Sequence, residues 1–228
     1  MSLPHFFLRE QVLAFESAPV FALHLDADDT KHAKVLRLAV GEHIAVVDAV
    51  SDYFECEIVS FEGDELSVSI AQKLSSYARP EVVLVQGLAK GEKMDTIVRH
   101  ATEVGIAEFV PMTTSRSVVK LDAKKSKVRF ERWASIAKSA AMQSGRSSKP
   151  VVHAPCSVAG AVDIAKDCDA VLICWEEVEL SNTLAKAVSC CIAATGKDPR
   201  SLRIALVVGP EGGLTAQEVD LFLALPYA

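Results

Sequence analysis

The sequence predicts a parallel α/β domain that follows a small β-rich domain. Two observations support this fold class. From residue 81 onward, short apolar runs alternate with helix-like segments, which is the pattern of parallel strands joined by helices. Within residues 1–74, strand-like runs succeed one another with a single short helix between them. Residues 75–80, Ser-Ser-Tyr-Ala-Arg-Pro, separate the two parts and are predicted to be a linker.

The β-rich part, residues 1–74, is expected to contain four strands and one helix. The strand candidates are His5–Leu8, His43–Asp48, Tyr53–Phe61 and Glu65–Ala71. The turn Glu62-Gly63-Asp64 is short and contains glycine, so the last two strands are expected to form a hairpin. The helix is expected to be capped near Asp28 or Asp29 and to run through His32–Leu38.

In the α/β part, residues 81–228, each apolar run is followed by a helix candidate. The strand candidates are Val82–Gly87, Ala107–Pro111, Val151–His153, Ala170–Trp175 and Arg203–Val208. The helix candidates are Glu92–Val104, Lys124–Ser144, Ala159–Ala165, Ser181–Ala194 and Thr215–Leu223. Gly105, Gly145 and Gly196 are expected to end three of these helices. Ser181 or Asn182 is expected to cap the fourth helix.

Composition favours a folded protein without a membrane-spanning segment. Half of the 228 residues are apolar and 24% are charged, which is ordinary for a globular chain. No apolar run approaches the ~20 residues needed to cross a bilayer, and the amino terminus has no basic signal-like region. We therefore expect a soluble, cytoplasmic protein. The six cysteines and six histidines show no paired ligand spacing, so we expect reduced thiols and no metal site.

Charge is distributed unevenly along the chain. Residues 1–75 carry a net charge of −8, residues 76–150 carry +7 and residues 151–228 carry −5, although the whole chain carries only −6. The segment from Arg116 to Lys149 holds ten basic residues and two acidic ones, Asp122 and Glu131. A basic block in an acidic protein is a candidate nucleic-acid surface. A solvated helix face is the plainer interpretation of any single lysine within it.

Residues 209–213, Gly-Pro-Glu-Gly-Gly, are the most specific signal in the chain. They follow the continuous apolar run Arg203–Val208, which is typical of a buried parallel strand. A helix is expected directly afterwards, with Thr215 as its N-cap and Glu218 completing a capping box. The loop is therefore expected at the carboxyl edge of the sheet, where open α/β folds bind ligands. Its glycines permit backbone angles and close approaches that a side chain would block.

The carboxylate in this loop restricts the ligand that it can bind. Glu211 stands at the centre of the turn, where a negative charge would repel phosphate. The loop also lacks the Lys-Ser/Thr pair of a P-loop and the GxGxxG spacing of a dinucleotide fold. We therefore expect a neutral or cationic ligand. S-adenosylmethionine fits this description through its sulfonium, amino group and ribose hydroxyls.

The Gly209–Gly213 loop followed by Leu-Thr-x-x-Glu resembles the signature of the knotted SPOUT methyltransferases. Within that class, the chain is similar to the bacterial family that methylates ring nitrogen 3 of a uridine in small-subunit (16S) ribosomal RNA. Other segments agree with that family in the right order, namely His32–Arg37 with Gly41, Gln86–Gly91, Ala101–Gly105, Ser115–Ser117 and Gln143–Arg146. The matches extend along most of the chain.

This resemblance implies a fold, a cofactor and partners. The implied fold is a trefoil-knotted SPOUT α/β methyltransferase domain preceded by a PUA-like β-barrel that binds RNA. The implied cofactor is S-adenosylmethionine, and the implied partners are ribosomal RNA or the small ribosomal subunit and a second copy of the chain in a homodimer. Family members continue past the last helix with a Leu-Gly-x-Arg-Ile-Leu-Arg type segment. Because this sequence stops at Ala228, we expect that carboxyl-terminal knot segment to be missing here.

The resemblance and the predicted strand ends together suggest the residues of the site. The cofactor would be bound by Gly209, Pro210, Glu211, Gly212, Trp175 and Glu176. Arg116 and Arg146 would stabilise the anion formed when ring nitrogen 3 loses its proton, and Gln143 would orient the base. Ordinary packing of Trp175 and helix capping by Arg146 remain alternatives. Glu103 is equally consistent with a structural role, so no general base is assigned.

RNA contacts are expected from basic residues in both parts of the chain. They are His32, Lys34 and Arg37 in the β-rich part and Lys90, Lys120, Lys124, Lys125, Lys127, Arg129 and Arg132 in the α/β part. Contacts of this kind fix the register of RNA and carry no sequence information. Specificity would therefore come from the shape of the RNA and from a splayed-out base.

Three other functions stay open on sequence grounds. The chain could be a non-catalytic RNA-binding protein, which a test of cofactor binding would distinguish from an enzyme. It could be a SPOUT methyltransferase that acts on another RNA. It could also be a nucleotide-binding α/β enzyme of another kind, which would bind phosphate at the Gly209 loop in spite of Glu211.

Overall fold

The structure is a computed structural model that describes residues 3–75, 78–177 and 183–226. The chain divides into a β-rich unit, residues 1–77 with Ala141–Lys149, and an α/β unit, residues 78–140 with 150–228. The division after residue 77 falls inside the segment that we predict to be a linker. Ala141–Lys149, which the sequence analysis placed in the α/β part, groups with the β-rich unit because Ala141 packs against Phe7 and Val47.

The β-rich unit contains a five-stranded sheet. Its elements are β1 (His5–Phe7), β2 (Phe21–Ala22), α1 (Ala27–Leu36), β3 (His43–Val47), β4 (Tyr53–Glu62) and β5 (Glu65–Leu74). The strands lie in the order β1-β3-β4-β5-β2, with β1 and β3 parallel and the remaining pairs antiparallel. The predicted hairpin between β4 and β5 is confirmed. The two-residue strand β2 was not predicted because it is too short to show alternation.

Helix α1 differs from its prediction at both ends. Its N-cap is Asp26, whose Oδ1 accepts the Asp29 N–H at 2.8 Å, so the prediction of a cap at Asp28 or Asp29 is wrong. Asp28 and Asp29 instead occupy the first turn, where the positive end of the helix dipole favours carboxylates. The helix ends at Leu36, two residues before the predicted Leu38, because Arg37 adopts the left-handed conformation with φ 55° and ψ 42°.

The core of the β-rich unit lies on one face of this sheet. Alternate residues of the strands point into it, as in β4, where Phe54, Cys56 and Ile58 are buried while Glu57 and Val59 are exposed. This two-residue period is the signature of a sheet with one solvated face. The pairing defines a sheet, and closure into a PUA-like barrel stays a prediction.

The α/β unit contains a parallel sheet, as predicted. Its elements are β6 (Glu81–Gly87), α2 (Lys93–Val104), β7 (Glu108–Thr113), α3 (Ala123–Gln143), β8 (Val151–Val152), β9 (Cys156–Ser157), α4 (Val158–Ala165), β10 (Ala170–Cys174), α5 (Leu184–Thr195), β11 (Arg203–Val208) and α6 (Ala216–Leu223). The strand order is β10-β11-β6-β7-β8, with β9 also beside β7, and every pair is parallel.

Both faces of this sheet are covered. Val83 and Val85 of β6 belong to one buried cluster and Leu84 belongs to another, so successive residues of the strand face opposite layers. In β11, Ala205 and Val207 are likewise buried on one side, while Leu206 packs against the other cluster. A strand buried on both faces explains the continuous apolar runs in the sequence.

Short sequence signals predicted most of the helix ends in this unit correctly. Gly105 and Gly196 adopt left-handed backbone angles at the ends of α2 and α5, as predicted. Thr215 and Glu218 form the predicted capping box of α6. The N-cap of α5 is Thr183, which accepts the Lys186 N–H at 3.3 Å, so the cap prediction is wrong. The predicted caps Ser181 and Asn182 lie outside the described residues.

An ion network joins strands at the amino edge of the parallel sheet. The Arg203 guanidinium donates to Glu81 Oε2 at 2.8 Å and also to Glu108, whose other carboxylate oxygen lies 2.7 Å from His153 Nε2. Burial acts to raise the pKa of Glu108, but hydrogen bonds from Arg203 and His153 outweigh it and hold that pKa below the ordinary value. The network therefore ties β6, β7 and β11 together where they begin.

Two further findings concern the whole described chain. No helix within residues 3–75, 78–177 and 183–226 is long and apolar enough to cross a membrane. All six cysteines are free thiols, and Cys174 and Cys190 are exposed.

Candidate functional site

Three loops meet at the carboxyl edge of the parallel sheet. They follow β6, β10 and β11, which are neighbours in the sheet and end side by side. The loops are Gln86–Gly91, the segment that begins at Trp175, and Gly209–Gly213. Gln86 Nε2 donates to the carbonyl oxygen of Gly209 at 3.3 Å, which links the first loop to the third. The strand ends that the sequence suggested for ligand binding are therefore brought together.

The backbones of two of these loops are in direct contact at Gly87. A Cβ atom on Gly87 would lie 2.5 Å from both the N and Cδ atoms of Pro210 and 2.8 Å from the carbonyl carbon of Gly209. Real Cβ atoms do not approach other atoms so closely. Only glycine therefore allows the β6 loop and the β11 loop to pack in this way.

The Gly209–Gly213 loop is folded back on itself. The Gly213 N–H donates to the Pro210 carbonyl at 2.9 Å, and a Cβ on Gly209 would lie 2.9 Å from the Gly213 carbonyl carbon. Gly213 has φ +70°, and a Cβ there would lie 2.9 Å from Glu176 Oε1. A glycine is thus needed at position 209 because Gly213 lies so close to it. At position 213 a glycine is needed both for its positive φ and because the Glu176 carboxylate lies so close. The Glu176 carboxylate faces the turn.

Glu211 has partners inside the protein. Its Oε1 accepts the Lys90 N–H at 3.1 Å and the Lys93 ammonium at 2.8 Å. The hydrogen bond from Lys93 and those from backbone N–H groups lower the pKa of Glu211 to about 2. Glu211 thus joins the β11 loop to the start of α2, and its predicted contact with the cofactor stays a prediction. No signal in the sequence connects residues so far apart.

Arg116 lies against the same loop. Its Nη1 donates to the carbonyl oxygens of Gly212 at 3.0 Å and Leu214 at 3.3 Å. A Cβ on Gly212 would lie 3.2 Å from the Arg116 Cβ, so the arginine stem covers that glycine. The candidate anion-stabilising residue and the candidate cofactor loop are therefore in contact, and Arg116 is exposed.

Glu218, predicted from the sequence only as part of a helix cap, also connects two segments of the site. Its Oε2 accepts the Thr215 N–H at 3.0 Å, and its Oε1 accepts the Ser115 N–H at 2.8 Å. Burial acts to raise the pKa of this carboxyl, but the hydrogen bonds from Ser115 and Thr215 outweigh it and hold the pKa below the ordinary value. One buried carboxylate thus ties the Arg116 turn to the start of α6.

Trp175 has both a packing role and an unused hydrogen-bond donor. Its ring packs against the buried cluster that contains Val207 and Leu214. Its Nε1 is buried and has no hydrogen-bond partner within the described residues. A buried donor without a partner is uncommon in folded proteins and suits a ligand that carries an acceptor. This observation and the acidic Glu176 fit a cofactor with acceptor atoms and a positive charge.

Gln143 and Arg146 lie in the segment that groups with the β-rich unit. Gln143 is exposed and is the last residue of α3. The Arg146 N–H donates to the Ala141 carbonyl at 3.0 Å and so closes the end of the helix beside Gly145, whose φ is +67°. This bond is made by the backbone, so helix capping by the Arg146 side chain and a catalytic role for either residue both stay predictions.

Of the predicted phosphate contacts in the α/β unit, Lys90 lies on the loop after β6, Lys120 lies on the loop before α3, and the others lie on the first three turns of α3; most are exposed. Arg132 differs from the others, because its Nε and Nη2 donate to Asp95 Oδ2 at 2.8 and 2.6 Å. Trp133 donates to the other oxygen of Asp95, so this carboxylate is held by both residues. Arg132 thus has a structural role that the sequence did not reveal. Phosphate contacts stay a prediction for Lys90, Lys120, Lys124, Lys125, Lys127, Arg129 and Arg132.

The remaining predicted RNA contacts lie on or directly after α1. The His32 ring centroid lies 6.1 Å from that of Phe6. The Lys34 ammonium lies 2.5 Å from Asp64 Oδ1, and Arg37 is the left-handed residue that ends the helix.

Comparison with known proteins gives a consistent result. The model of the RNA methyltransferase domain family matches residues 77–226. Ribosomal RNA small subunit methyltransferase E of Bacillus subtilis strain 168 is 32% identical over 208 residues, which is 90% of this chain and 79% of the relative. A crystal structure described as that of a hypothetical protein has a TM-score of 0.80 and 31% identity, with 96% of this chain and 85% of that chain covered.

A third comparison concerns the fold. The crystal structure of ribosomal RNA small subunit methyltransferase E from Neisseria gonorrhoeae, bound to S-adenosyl methionine, has a TM-score of 0.73 and 22% identity. The structural match covers 99% of this chain and 89% of the Neisseria gonorrhoeae chain. The resemblance in sequence motifs, the family match over most of the chain and the relative at 32% identity all agree. The chain belongs to the RNA methyltransferase domain family and, within it, to the relatives of ribosomal RNA small subunit methyltransferase E.

Proposed function

We propose that this protein transfers a methyl group from S-adenosylmethionine to ring nitrogen 3 of a uridine in small-subunit ribosomal RNA. The observation that carries the proposal is the Gly209–Gly213 loop, which packs on Gly87 and is bound by Arg116 at the carboxyl edge of the sheet. Relatives named as ribosomal RNA small subunit methyltransferases support the reaction class and the substrate.

The residues present fit the proposed cofactor. When bound, S-adenosylmethionine supplies an activated methyl group. Backbone groups of the closed glycine turn would contact the adenosyl moiety, and the buried Trp175 Nε1 is a donor for one of its acceptor atoms. The Glu176 carboxylate beside Gly213 is an acceptor for an amino group or ribose hydroxyls. The chain's contribution here is position and orientation, which is what transfer from an activated donor needs.

The uridine imposes a further requirement, because its ring nitrogen must lose a proton before it can attack. The resulting anion is shared with the two carbonyl oxygens of the base, so a cationic donor near those oxygens stabilises it. Arg116 serves this role in our proposal, since its Nη1 donates to the Gly212 and Leu214 carbonyls while the residue as a whole stays exposed. Arg146 and Gln143 are the other two residues that we propose to contact the base.

The exposed lysines before and on the first turns of α3 would bind RNA phosphates, so affinity for RNA should fall steeply with salt. We also propose the trefoil knot, the PUA-like barrel and the homodimer, which the resemblance implies, and a cytoplasmic location, which the composition favours.

The test combines cofactor binding with methyl transfer. Calorimetric titration of S-adenosylmethionine into the protein should show saturable binding. Transfer of labelled methyl groups to small ribosomal subunits and to free small-subunit RNA, followed by nucleoside analysis, should yield 3-methyluridine. Binding without transfer to either RNA would point to another RNA substrate. Failure to bind the cofactor would favour a non-catalytic RNA-binding protein.

Glu211→Gln separates this proposal from a nucleotide-binding enzyme of another kind. The neutral amide loses the charge attraction to the Lys93 ammonium, so the tie between the loop and α2 weakens, and affinity for S-adenosylmethionine should fall several-fold by calorimetry. Because the pKa of Glu211 is about 2, wild-type affinity should not change with pH between neutrality and mild acid through this group. Glu92→Gln, an exposed neighbour, is the matched control. Unchanged cofactor affinity together with stronger binding of inorganic phosphate would favour the rival function.

A further inference from the structure

An open groove on the β-rich unit has the features of a nucleotide site. It lies between the end of α1 and the β4–β5 turn, has a volume of about 380 Å³ and is lined by Lys34, Arg37, Leu38, Phe61 and Gly63. A volume of this size is within the range of small-ligand sites. The lining combines two cations with an aromatic ring and an aliphatic side chain.

The backbone at Arg37 is in a conformation that arginine rarely adopts. With φ 55° and ψ 42°, its Cβ is crowded by the following carbonyl, and glycine is the usual residue at such a helix end. Within the described residues, Arg37 and Ser51 are the two non-glycine residues with positive φ. Strain of this kind persists where the side chain is needed for something else.

The charge of Arg37 is also unusual in its surroundings. Residues 1–75 carry a net charge of −8, and most of the cations there are engaged by carboxylates. The ion pairs are Arg9 with Asp26 at 3.0 Å, Lys34 with Asp64 at 2.5 Å and Lys73 with Asp52 at 2.7 Å. Arg37 has no ion pair within the part of the chain that the structure describes. An arginine that is strained and has no ion pair, in an acidic unit, is suited to bind an anionic group of another molecule.

The floor of the groove is apolar. Leu38 and Phe61 are half-buried, and each packs on the core of the β-rich unit. Gly63, with φ +63°, has nothing within 4 Å of where a Cβ would stand, so the side of the groove is open beside the ring. An aromatic side chain that lines such an open groove can serve as a platform for a base.

We propose that this groove binds one unpaired nucleotide of the RNA substrate, with the base on Phe61 and Leu38 and the phosphate on Arg37 and Lys34. The inference rests on the proposed function, because it takes RNA to be the substrate. A duplex does not fit, since its bases are already stacked and its many phosphates would be repelled by the surrounding acidic surface.

Arg37→Gly tests the proposal, because it relieves the strain and removes the cation at once. We expect the melting temperature to stay the same or to rise. Affinity for a short fluorescent single-stranded oligouridine, measured by anisotropy without cofactor, should fall about tenfold, and the salt dependence of binding should become shallower. Ser51→Gly is the matched control, since it relieves the same kind of strain elsewhere in the unit, and its RNA affinity should equal that of wild type.

Phe61→Leu tests the base-binding part of the groove separately from the phosphate-binding part. It keeps the apolar packing and removes the ring, so RNA affinity should fall while the salt dependence stays as in wild type. Equal binding of oligouridine by Arg37→Gly and wild type would overturn the proposal, as would an equal loss in Ser51→Gly. A larger effect of Arg37→Gly on a short RNA duplex than on the single strand would also overturn it. Because no step depends on S-adenosylmethionine, failure of methyl transfer would reject the proposed function and leave these results intact.

Discussion

Gly87→Ala is expected to abolish measurable binding of S-adenosylmethionine and to lower the free energy of unfolding by about 3 kcal/mol. The added methyl group would lie 2.5 Å from Pro210 N and Cδ, so either the β6 strand end or the Gly209 loop must move. Backbone cannot yield as a flexible side chain does, and the shift would displace the turn that we propose to hold the cofactor. Urea denaturation and calorimetric titration of the same samples measure both effects.

Gly196→Ala is the control for Gly87→Ala. Gly196 has φ +63° at the end of α5, and no atom lies within 4 Å of the place where a Cβ would stand. Alanine there should cost about 1 kcal/mol of stability through backbone strain alone, with the cofactor affinity of wild type. If Gly87→Ala bound the cofactor as tightly as Gly196→Ala, the contact between the two loops would have no part in cofactor binding.

Glu218→Gln is expected to have the second-largest effect. The amide has one acceptor oxygen and no charge, so it cannot satisfy both the Ser115 and the Thr215 N–H groups, which would leave one of them unpaired. Loss of a buried hydrogen bond to a charged acceptor should lower the unfolding free energy by about 2 kcal/mol. The turn that carries Arg116 would also be released from α6, so the rate of methyl transfer should fall more than the affinity for cofactor.

The same variant should change the response to acid. The folded-state pKa of Glu218 lies below the ordinary value of 4.5, so its contribution to stability is present above that pH and is lost as the pH falls through the folded value. Glu218→Gln should therefore lose less stability than wild type when urea denaturation is repeated below pH 4.5. Asp220→Asn, exposed on the same helix, is the matched control. An identical acid response in Glu218→Gln would show that this carboxyl does not couple the two segments.

Features set by neighbouring residues were predictable from sequence. The strand Arg203–Val208, the capping box of Thr215 and Glu218 and the glycine end of α5 each depend on a few consecutive residues, and each is found where it was predicted. The cap of α1 was wrong because three aspartates lie within four residues, Asp26 to Asp29, and local chemistry does not distinguish which of them stands before the first turn. Sequence signals for helix ends are therefore reliable in position only to about two residues.

Contacts between distant residues were not predictable. The link from Ser115 to Glu218 and the link from Lys90 to Glu211 join residues more than a hundred positions apart, and no periodicity or motif in a single sequence pairs them. Arg132 was grouped with its basic neighbours for the same reason, since its partner Asp95 lies on another helix. The family motifs indicated which loops matter, and the structure shows how one loop is fastened to the next.

The position of the Arg203 network has a consequence for how this protein can change. Arg203 begins the strand that ends at the Gly209 loop, so the network and the loop are separated by the length of that strand, roughly 20 Å. Substitutions among Glu81, Glu108 and His153 should therefore shift thermal tolerance and leave the opposite edge undisturbed. Mutations that strengthen this network would raise the stability of the domain. The added stability would allow later destabilising substitutions in the loops, through which new substrate preferences can evolve.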